Sequence, residues 1–148
     1  MYLHNNLIKR DHLKLAGESI DLDRIVQPLY AVTAEDDHIA PWKQCYRIRK
    51  YVNVNAPVRF ALSSSGHILG IVNPPVNPPK RSYWIGEPAR NEHWEHWFER
   101  AEKKPGSWWE DWTAWLGERT GELVDPYPAA NRKFPSLAAA PGTYVLEK

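Results

Sequence analysis

Two short stretches of this 148-residue chain are apolar almost without interruption. Residues 27–34 contain Pro28-Leu29-Tyr30-Ala31-Val32, and residues 57–63 contain Val58-Arg59-Phe60-Ala61-Leu62. Runs of this length without a polar face predict strands covered on both sides, as in a parallel sheet. Between them, Pro41 suits the first position of a helix, where its missing N–H is not needed, and a helix is predicted over residues 41–52. Strand, helix, strand with short connections is a βα unit and predicts an α/β fold. Upstream, Leu3, Leu7 and Ile8 recur at helical spacing and predict a short helix over residues 1–9. Residues 13–15 and 19–22 alternate apolar and polar across Ala16-Gly17 and predict a small hairpin.

The pattern changes at Asn73-Pro74-Pro75-Val76-Asn77-Pro78-Pro79. Prolines at this density exclude helix and central strand, leaving an extended loop. After Asn91, a good N-cap, residues 92–103 read as a helix with Trp94, Trp97, Phe98 and Ala101 on one apolar face. Pro105-Gly106 stops it. Ser107-Trp108-Trp109-Glu110 is a capping box that opens another helix. Trp108, Trp112, Trp115 and Leu116 fall on one side of that helix, and Gly121 is its natural C-cap. From Pro126 the chain is rich in proline and alanine, and it reads as an extended tail ending in a strand-like segment over residues 143–146. The sequence divides into residues 1–72, a Pro-rich and Trp-rich region over 73–125, and a tail over 126–148, with no internal repeat.

Composition narrows the picture. A net charge of +1 gives no strong field toward nucleic acid or an anionic membrane. No stretch approaches the ~18 apolar residues of a spanning helix, and the N-terminus shows no basic region followed by an apolar run, so no signal peptide is expected. The single cysteine, Cys45, excludes an intramolecular disulfide and fits a reducing cytoplasm. Eight tryptophans imply large aromatic packing surfaces, a groove, or both.

The chemistry concentrates just past the two apolar runs. The first is followed by Asp36-Asp37-His38-Ile39-Ala40-Pro41-Trp42, the second by Ser63-Ser64-Ser65-Gly66-His67. Ligands in α/β sheets gather at the carboxyl ends of strands. Acid then histidine, each past a strand end, is the order of the second half of an α/β-hydrolase triad. Asp37 is the candidate acid and His67 the candidate base, with His38 beside the site. A carboxylate there can equally cap the helix that begins near Pro41, and alternation at a strand end does not settle whether Asp36 or Asp37 points inward. The nucleophile's elbow, G-x-S-x-G or G-x-C-x-G, occurs nowhere in the chain. Cys45 lies mid-helix, after the acid and without glycines around it, and reads as a buried structural cysteine. Glu92, His93, Glu95 and His96 match no metal-ligand spacing and read as the solvated face of a helix, so no metal is expected. Lys80-Arg81 is a weak phosphate signal. The Trp-rich helices read as core rather than as a groove.

At these residues the chain resembles the polyhydroxyalkanoate synthases. The resemblance rests on Asp37-His38-Ile39-Ala40-Pro41-Trp42, on Ser65-Gly66-His67-Ile68 with Gly70 and Asn73-Pro74-Pro75, and on Lys80-Arg81-Ser82-Tyr83-Trp84. It continues through Gly106-Ser107-Trp108-Trp109-Glu110-Asp111-Trp112-Thr113-Ala114-Trp115-Leu116 to Pro141-Gly142-Thr143-Tyr144-Val145. The tail is most similar to the single-subunit, short-chain class. The resemblance implies the C-terminal part of an α/β-hydrolase fold with a Trp-rich helical extension. It also implies a Cys-His-Asp triad in which Asp37 is the acid, His67 the base and His38 a neighbour. The family's nucleophile lies in a cysteine elbow upstream of everything present here. Met1-Tyr2-Leu3 resembles an internal stretch of the family, so a C-terminal fragment is expected, inactive alone. The implied reaction polymerises 3-hydroxyacyl-coenzyme A into polyester with release of coenzyme A. No cofactor is implied, because the coenzyme A thioester is the substrate. Implied partners are an N-terminal synthase half, the growing polyester and a second copy of the chain, in the cytoplasm or at a polyester granule. The alternative is a non-catalytic interaction module derived from a synthase C-terminus.

Overall fold

The computed structural model describes residues 3–128 and 132–147. Contacts divide the chain into two units, Met1–Glu118 and Arg119–Lys148. The first holds every strand and α-helix among the described residues. Among its described residues the second contains one 3-10 turn, Tyr144–Leu146, in place of the strand-like end predicted over 143–146.

A mixed α/β architecture forms around a four-stranded sheet. A separate hairpin comes first, pairing β1 (Leu13–Leu15) with antiparallel β2 (Glu18–Ile20), as the alternation predicts. The sheet consists of β3 (Leu29–Ala34), β4 (Val58–Ser63), β5 (Ser82–Gly86) and β6 (Glu102–Pro105), side by side in that order. β3 and β4 are parallel, with Leu29 opposite Val58 and Ala34 opposite Ser63. β5 and β6 then run antiparallel to their neighbours. The crossover between β3 and β4 carries α1 (Trp42–Cys45) and α2 (Ile48–Tyr51). α3 (Trp94–Arg100) precedes β6, and α4 (Trp108–Gly117) follows it.

β4 is buried on both faces, which is why its sequence shows no polar side. Phe60 and Leu62 pack with Trp42, Tyr46 and Trp97 on the face covered by α1 and α3. Ala61 packs with Tyr83, Ile85 and Trp108 on the face covered by α4. The first face is an aromatic cluster. The Phe60 and Trp97 rings meet edge to face with centroids 5.0 Å apart, and Trp42 meets Trp94 at 5.3 Å. Such pairs add about 0.5–1.5 kcal/mol each beyond burial.

Several expectations are corrected. The helix predicted over residues 1–9 is a single 3-10 turn, Asn6–Ile8; its start at Met1 and Tyr2 lies outside the described residues. The helix predicted over 41–52 is two short helices. At their junction and into α2 the backbone N–H groups of Arg47, Arg49 and Lys50 donate to carbonyls three residues back, a tightening that breaks the regular ladder. The helix predicted over 92–103 begins at Trp94 and ends at Arg100, because residues 102–105 leave it to pair with β5. Its apolar face is as read, with Trp97 fully buried. Ser107 caps α4 as expected, its hydroxyl accepting from the Trp109 N–H at 3.0 Å. The helix stops at Gly117, before the Gly121 expected as its cap.

On α4 Trp108 is buried and Trp115 meets Tyr30 at 5.4 Å, as the spacing predicts, but Trp112 is exposed and Asp111 turns inward instead. Arg59 on β4 donates to Asp111 Oδ2 from Nε at 2.7 Å and to Oδ1 from Nη2 at 2.5 Å; Tyr30 on β3 donates its hydroxyl at 2.9 Å. Burial pushes the Asp111 carboxyl up, but the Arg59 and Tyr30 hydrogen bonds and the guanidinium charge outweigh it, leaving it below the ordinary range. Burial beside that carboxylate also raises the Tyr30 hydroxyl well above its usual value. Removing the cation strands a carboxylate, so Arg59→Met should lower stability by about 2–3 kcal/mol, less than for a fully buried pair because Arg59 is partly solvated. The sign with pH follows from the depressed carboxyl. Its contribution is present above an unfolded value of ~3.9 and is lost as pH falls through the folded value. Urea unfolding at neutral and acid pH should show the parent losing this increment in acid and Arg59→Met showing a flatter dependence.

Among the described residues no helix is long and apolar enough to cross a membrane.

Candidate functional site

The register of β3 and β4 assembles the site. Ala34 and Ser63 face each other at the ends of the two strands, so the loops that follow leave the sheet side by side. Backbone bonds keep them together: the Glu35 N–H donates to Ser63 O at 2.8 Å and the Asp36 N–H to Ser65 O at 3.1 Å. Ser65 takes φ +93°, a left-handed conformation that disfavours a side chain. Such strain, of order 1–3 kcal/mol, persists only where the surroundings impose it.

These loops bring Asp37 and His67 together. His67 Nδ1 lies 2.7 Å from Asp37 Oδ2. The other carboxylate oxygen, Oδ1, accepts the Ile39 N–H at 2.9 Å and the Ala40 N–H at 2.8 Å. Asp37 is therefore buried and fixed from both sides, while 41% of the His67 side chain remains exposed. The Ala40 N–H, the His67 imidazole and the Ile39 N–H together hold the Asp37 carboxyl below the usual carboxylate range, against the opposing effect of burial. An ionised carboxylate only accepts hydrogen bonds. Nδ1 then carries the proton, and Nε2 of the neutral ring keeps a lone pair free to take one.

Asp36 and His38 are exposed and do not join the pair. Cys45, read from the sequence as buried, is half-buried, with Sγ 3.6 Å from Ala40 O. Burial and the Asp37 charge push its thiol up, the opposite of what an attacking thiol needs. Glu92, read as part of a solvated helix face, precedes α3 and turns onto Arg100, which donates to it from Nε at 2.5 Å and Nη2 at 2.6 Å. His93 pairs with Glu95 at 3.3 Å and lies beside His96. Among the described residues no group of three or more His, Cys, Asp or Glu is placed to hold a metal. Arg81 reaches Asn73 Oδ1 at 3.4 Å and Lys80 is exposed, and neither approaches the pair in any hydrogen bond or ion pair described.

The turn that follows His67 is held by side chains that sequence reading placed only in a helix start. Trp108 Nε1 donates to Gly70 O at 3.1 Å, Trp109 Nε1 to Ile71 O at 3.0 Å, and Ser107 Oγ to Asn73 O. Gly70 itself lies hard against the end of β3, where a Cβ would stand 2.4 Å from the Ala34 Cβ. The Gly-Ser-Trp-Trp motif thus anchors the segment that presents the histidine. Its density of indole N–H donors was the available signal.

No protein-family model matches the chain. Among curated proteins it is 40% identical over 153 residues to poly(3-hydroxyalkanoate) polymerase 1 of Ectopseudomonas oleovorans, covering 100% of this chain and 26% of that protein. It is 37% identical over 148 residues to poly(3-hydroxyalkanoate) polymerase subunit PhaC of Cupriavidus necator, covering 99% of the chain and 24% of the relative. The subunit PhaC of Rhizobium etli is 36% identical over 147 residues, with 99% and 22% covered. The chain spans about a quarter of the length of the curated relatives it matches. With identities of 36–40% over nearly its whole length, it is a relative of the poly(3-hydroxyalkanoate) polymerases and matches their C-terminal part.

Proposed function

We propose that this chain supplies the acid and base of a polyhydroxyalkanoate synthase, an acyltransferase of the α/β-hydrolase fold that joins 3-hydroxyacyl-coenzyme A units into polyester. The observation that carries the reading is the Asp37–His67 hydrogen bond at adjoining parallel strand ends. In this reading His67 Nε2 takes the proton of a cysteine thiol, and the thiolate attacks the thioester carbonyl of the substrate. The acyl group moves to the cysteine sulfur, the bond to coenzyme A breaks, and the histidine returns its proton to the departing thiolate. His67 then takes the proton of a 3-hydroxyl that attacks the enzyme-bound thioester; the carbon–sulfur bond breaks, the cysteine leaves as thiolate and recovers its proton from His67, and the chain is longer by one ester. Asp37 keeps the ring in the working tautomer and stabilises the imidazolium.

The cysteine must come from a segment carrying a G-x-C-x-G elbow, which this sequence does not contain. Ile39 and Ile68, on the two site loops, are 64% and 63% exposed, an apolar surface such a segment would cover. The chain alone is accordingly expected to be inactive. The test mixes it with a separately expressed upstream synthase half bearing the elbow, adds 3-hydroxybutyryl-coenzyme A and follows free coenzyme A. Release by the mixture and by neither half alone is the expected result. No release from two folded, associated halves would replace the catalytic reading with that of a non-catalytic interaction module.

A further inference from the structure

We propose that a basic cleft beside the acid loop binds the phosphate-bearing end of an adenosine phosphate. The cleft, about 520 Å³, lies between α1–α2 and the segment leading into α3. That volume is within the usual ~300–1,000 Å³ of small-molecule sites. Five of its lining residues are basic and one is acidic, in a chain whose net charge is only +1.

The charge is available. Among the described residues, Lys43, Arg47, Arg49 and Lys50 form no ion pair with a carboxylate. Arg49 serves the scaffold, donating to the carbonyls of Pro88, Asn53 and Val54. Arg47 meets only neutral acceptors, Gln44 Oε1 at 3.1 Å and the Tyr51 hydroxyl at 2.7 Å, and so keeps its field. On the far wall Arg90 is shared with Asp23 at 3.4 Å. The acidic residue, Glu92, is already neutralised by Arg100 and takes the Ala89 N–H as well.

The shape fits more than a bare anion. Lys43 Nζ sits 3.9 Å above the centre of the Trp94 ring and covers that face, while the His93 and Trp42 rings pack against the same indole at 5.3 Å. Lysine and arginine take phosphate oxygens, and a phosphate that draws Lys43 off the ring would open the Trp94 face to a planar base. α1 starts two residues after Ala40, whose N–H holds Asp37, so one continuous segment carries both the acid and the cleft. The ligand chemistry has two sources: the nucleotide of a coenzyme A ester, which rests on the function proposed above, or a free adenine nucleotide.

Calorimetric titration of the full chain at low salt tests this, using adenosine 3′,5′-bisphosphate, coenzyme A, ADP, inorganic phosphate and pantetheine. The three nucleotides should bind and pantetheine should not. K43Q/R47Q/K50Q should weaken binding by about 10-fold or more, as should the single reversal Lys50→Glu. All three side chains are exposed, so the fold should survive, which circular dichroism checks. Preference for coenzyme A and the bisphosphate over ADP assigns the substrate as the source; equal affinity for ADP assigns a free nucleotide. Absence of nucleotide binding below roughly 10 mM, unchanged affinity in both variants, or phosphate binding as tightly as the nucleotides would overturn the proposal. Because the readout is binding, it stands apart from the reconstitution assay and can fail or succeed without it.

Discussion

Asp37→Asn should lower coenzyme A release by the reconstituted synthase by about 10³–10⁴-fold, the scale seen when a triad acid is made an amide. The geometry explains why so small a change should matter. In the parent, Oδ1 is fixed by the Ile39 and Ala40 N–H groups and Oδ2 faces His67 Nδ1. An asparagine keeps its carbonyl on the two backbone donors and turns its amide toward the ring. That amide donates, so Nδ1 must accept and the ring proton moves to Nε2. A histidine protonated at Nε2 and neutral overall cannot take the thiol proton. The fold should tolerate the swap, since size and backbone bonds are preserved. Initial rates of thiol release, with thermal unfolding as the check on folding, read the effect. Asp36→Asn is the control and should change the rate little, because Asp36 is exposed. A rate for Asp37→Asn within a few-fold of the parent would remove Asp37 from the proposed mechanism.

Gly70→Ala should be the most damaging glycine-to-alanine change among the described residues. The added Cβ would stand 2.4 Å from the Ala34 Cβ and 2.8 Å from Gly66 O, and neither is the free end of a flexible side chain. Overpacking of this kind costs about 3 kcal/mol where the neighbours can give only by moving backbone. Here the backbone that would have to move is the end of β3 or the turn carrying His67. Gly66→Ala provides the contrast. Its nearest such contact is Asp36 O at 3.8 Å, an ordinary separation, so the same chemical change four residues earlier should cost little. Urea midpoints of the two variants measure the difference. Equal midpoints would mean that the tight contact at Gly70 relaxes without penalty.

The sequence made some of this legible and hid the rest for identifiable reasons. β3 and β4 were readable because Leu29–Ala34 and Val58–Ser63 are covered on both faces and so carry continuous apolar runs. The apolar face of α3 was readable because Trp97 and its neighbours keep helical spacing. β5 was missed although Ser82–Gly86 alternates half-buried and buried, since five residues beside a proline-rich loop give too short a period. β6 could not have been found from apolar pattern at all: Glu102–Pro105 is an edge strand of charged residues, with Lys103 laid over the Trp84 ring at 4.4 Å. On α4 the inner face was legible at Trp108 and Trp115, but Asp111 was not expected beside them, since a carboxylate enters a core only when partners such as Arg59 and Tyr30 await it on other strands. The acid and histidine loops were visible as motifs, but which aspartate turns inward depends on the Ile39 and Ala40 N–H groups. The tryptophan clamp was hidden because its acceptors are backbone carbonyls, which leave no mark in a sequence.

The pairing of Ala34 with Ser63 has a consequence for how such chains can vary. The two site loops start from a fixed rung of the ladder, so the distance between acid and base is independent of how much chain lies between them. Doubling the length of the crossover would add only about 0.6 kcal/mol of closure entropy, less than one ordinary hydrogen bond. Insertions and deletions can therefore accumulate inside this region without separating Asp37 from His67. The number of residues between them carries no information, and related sites are recognised by the strand ends they occupy.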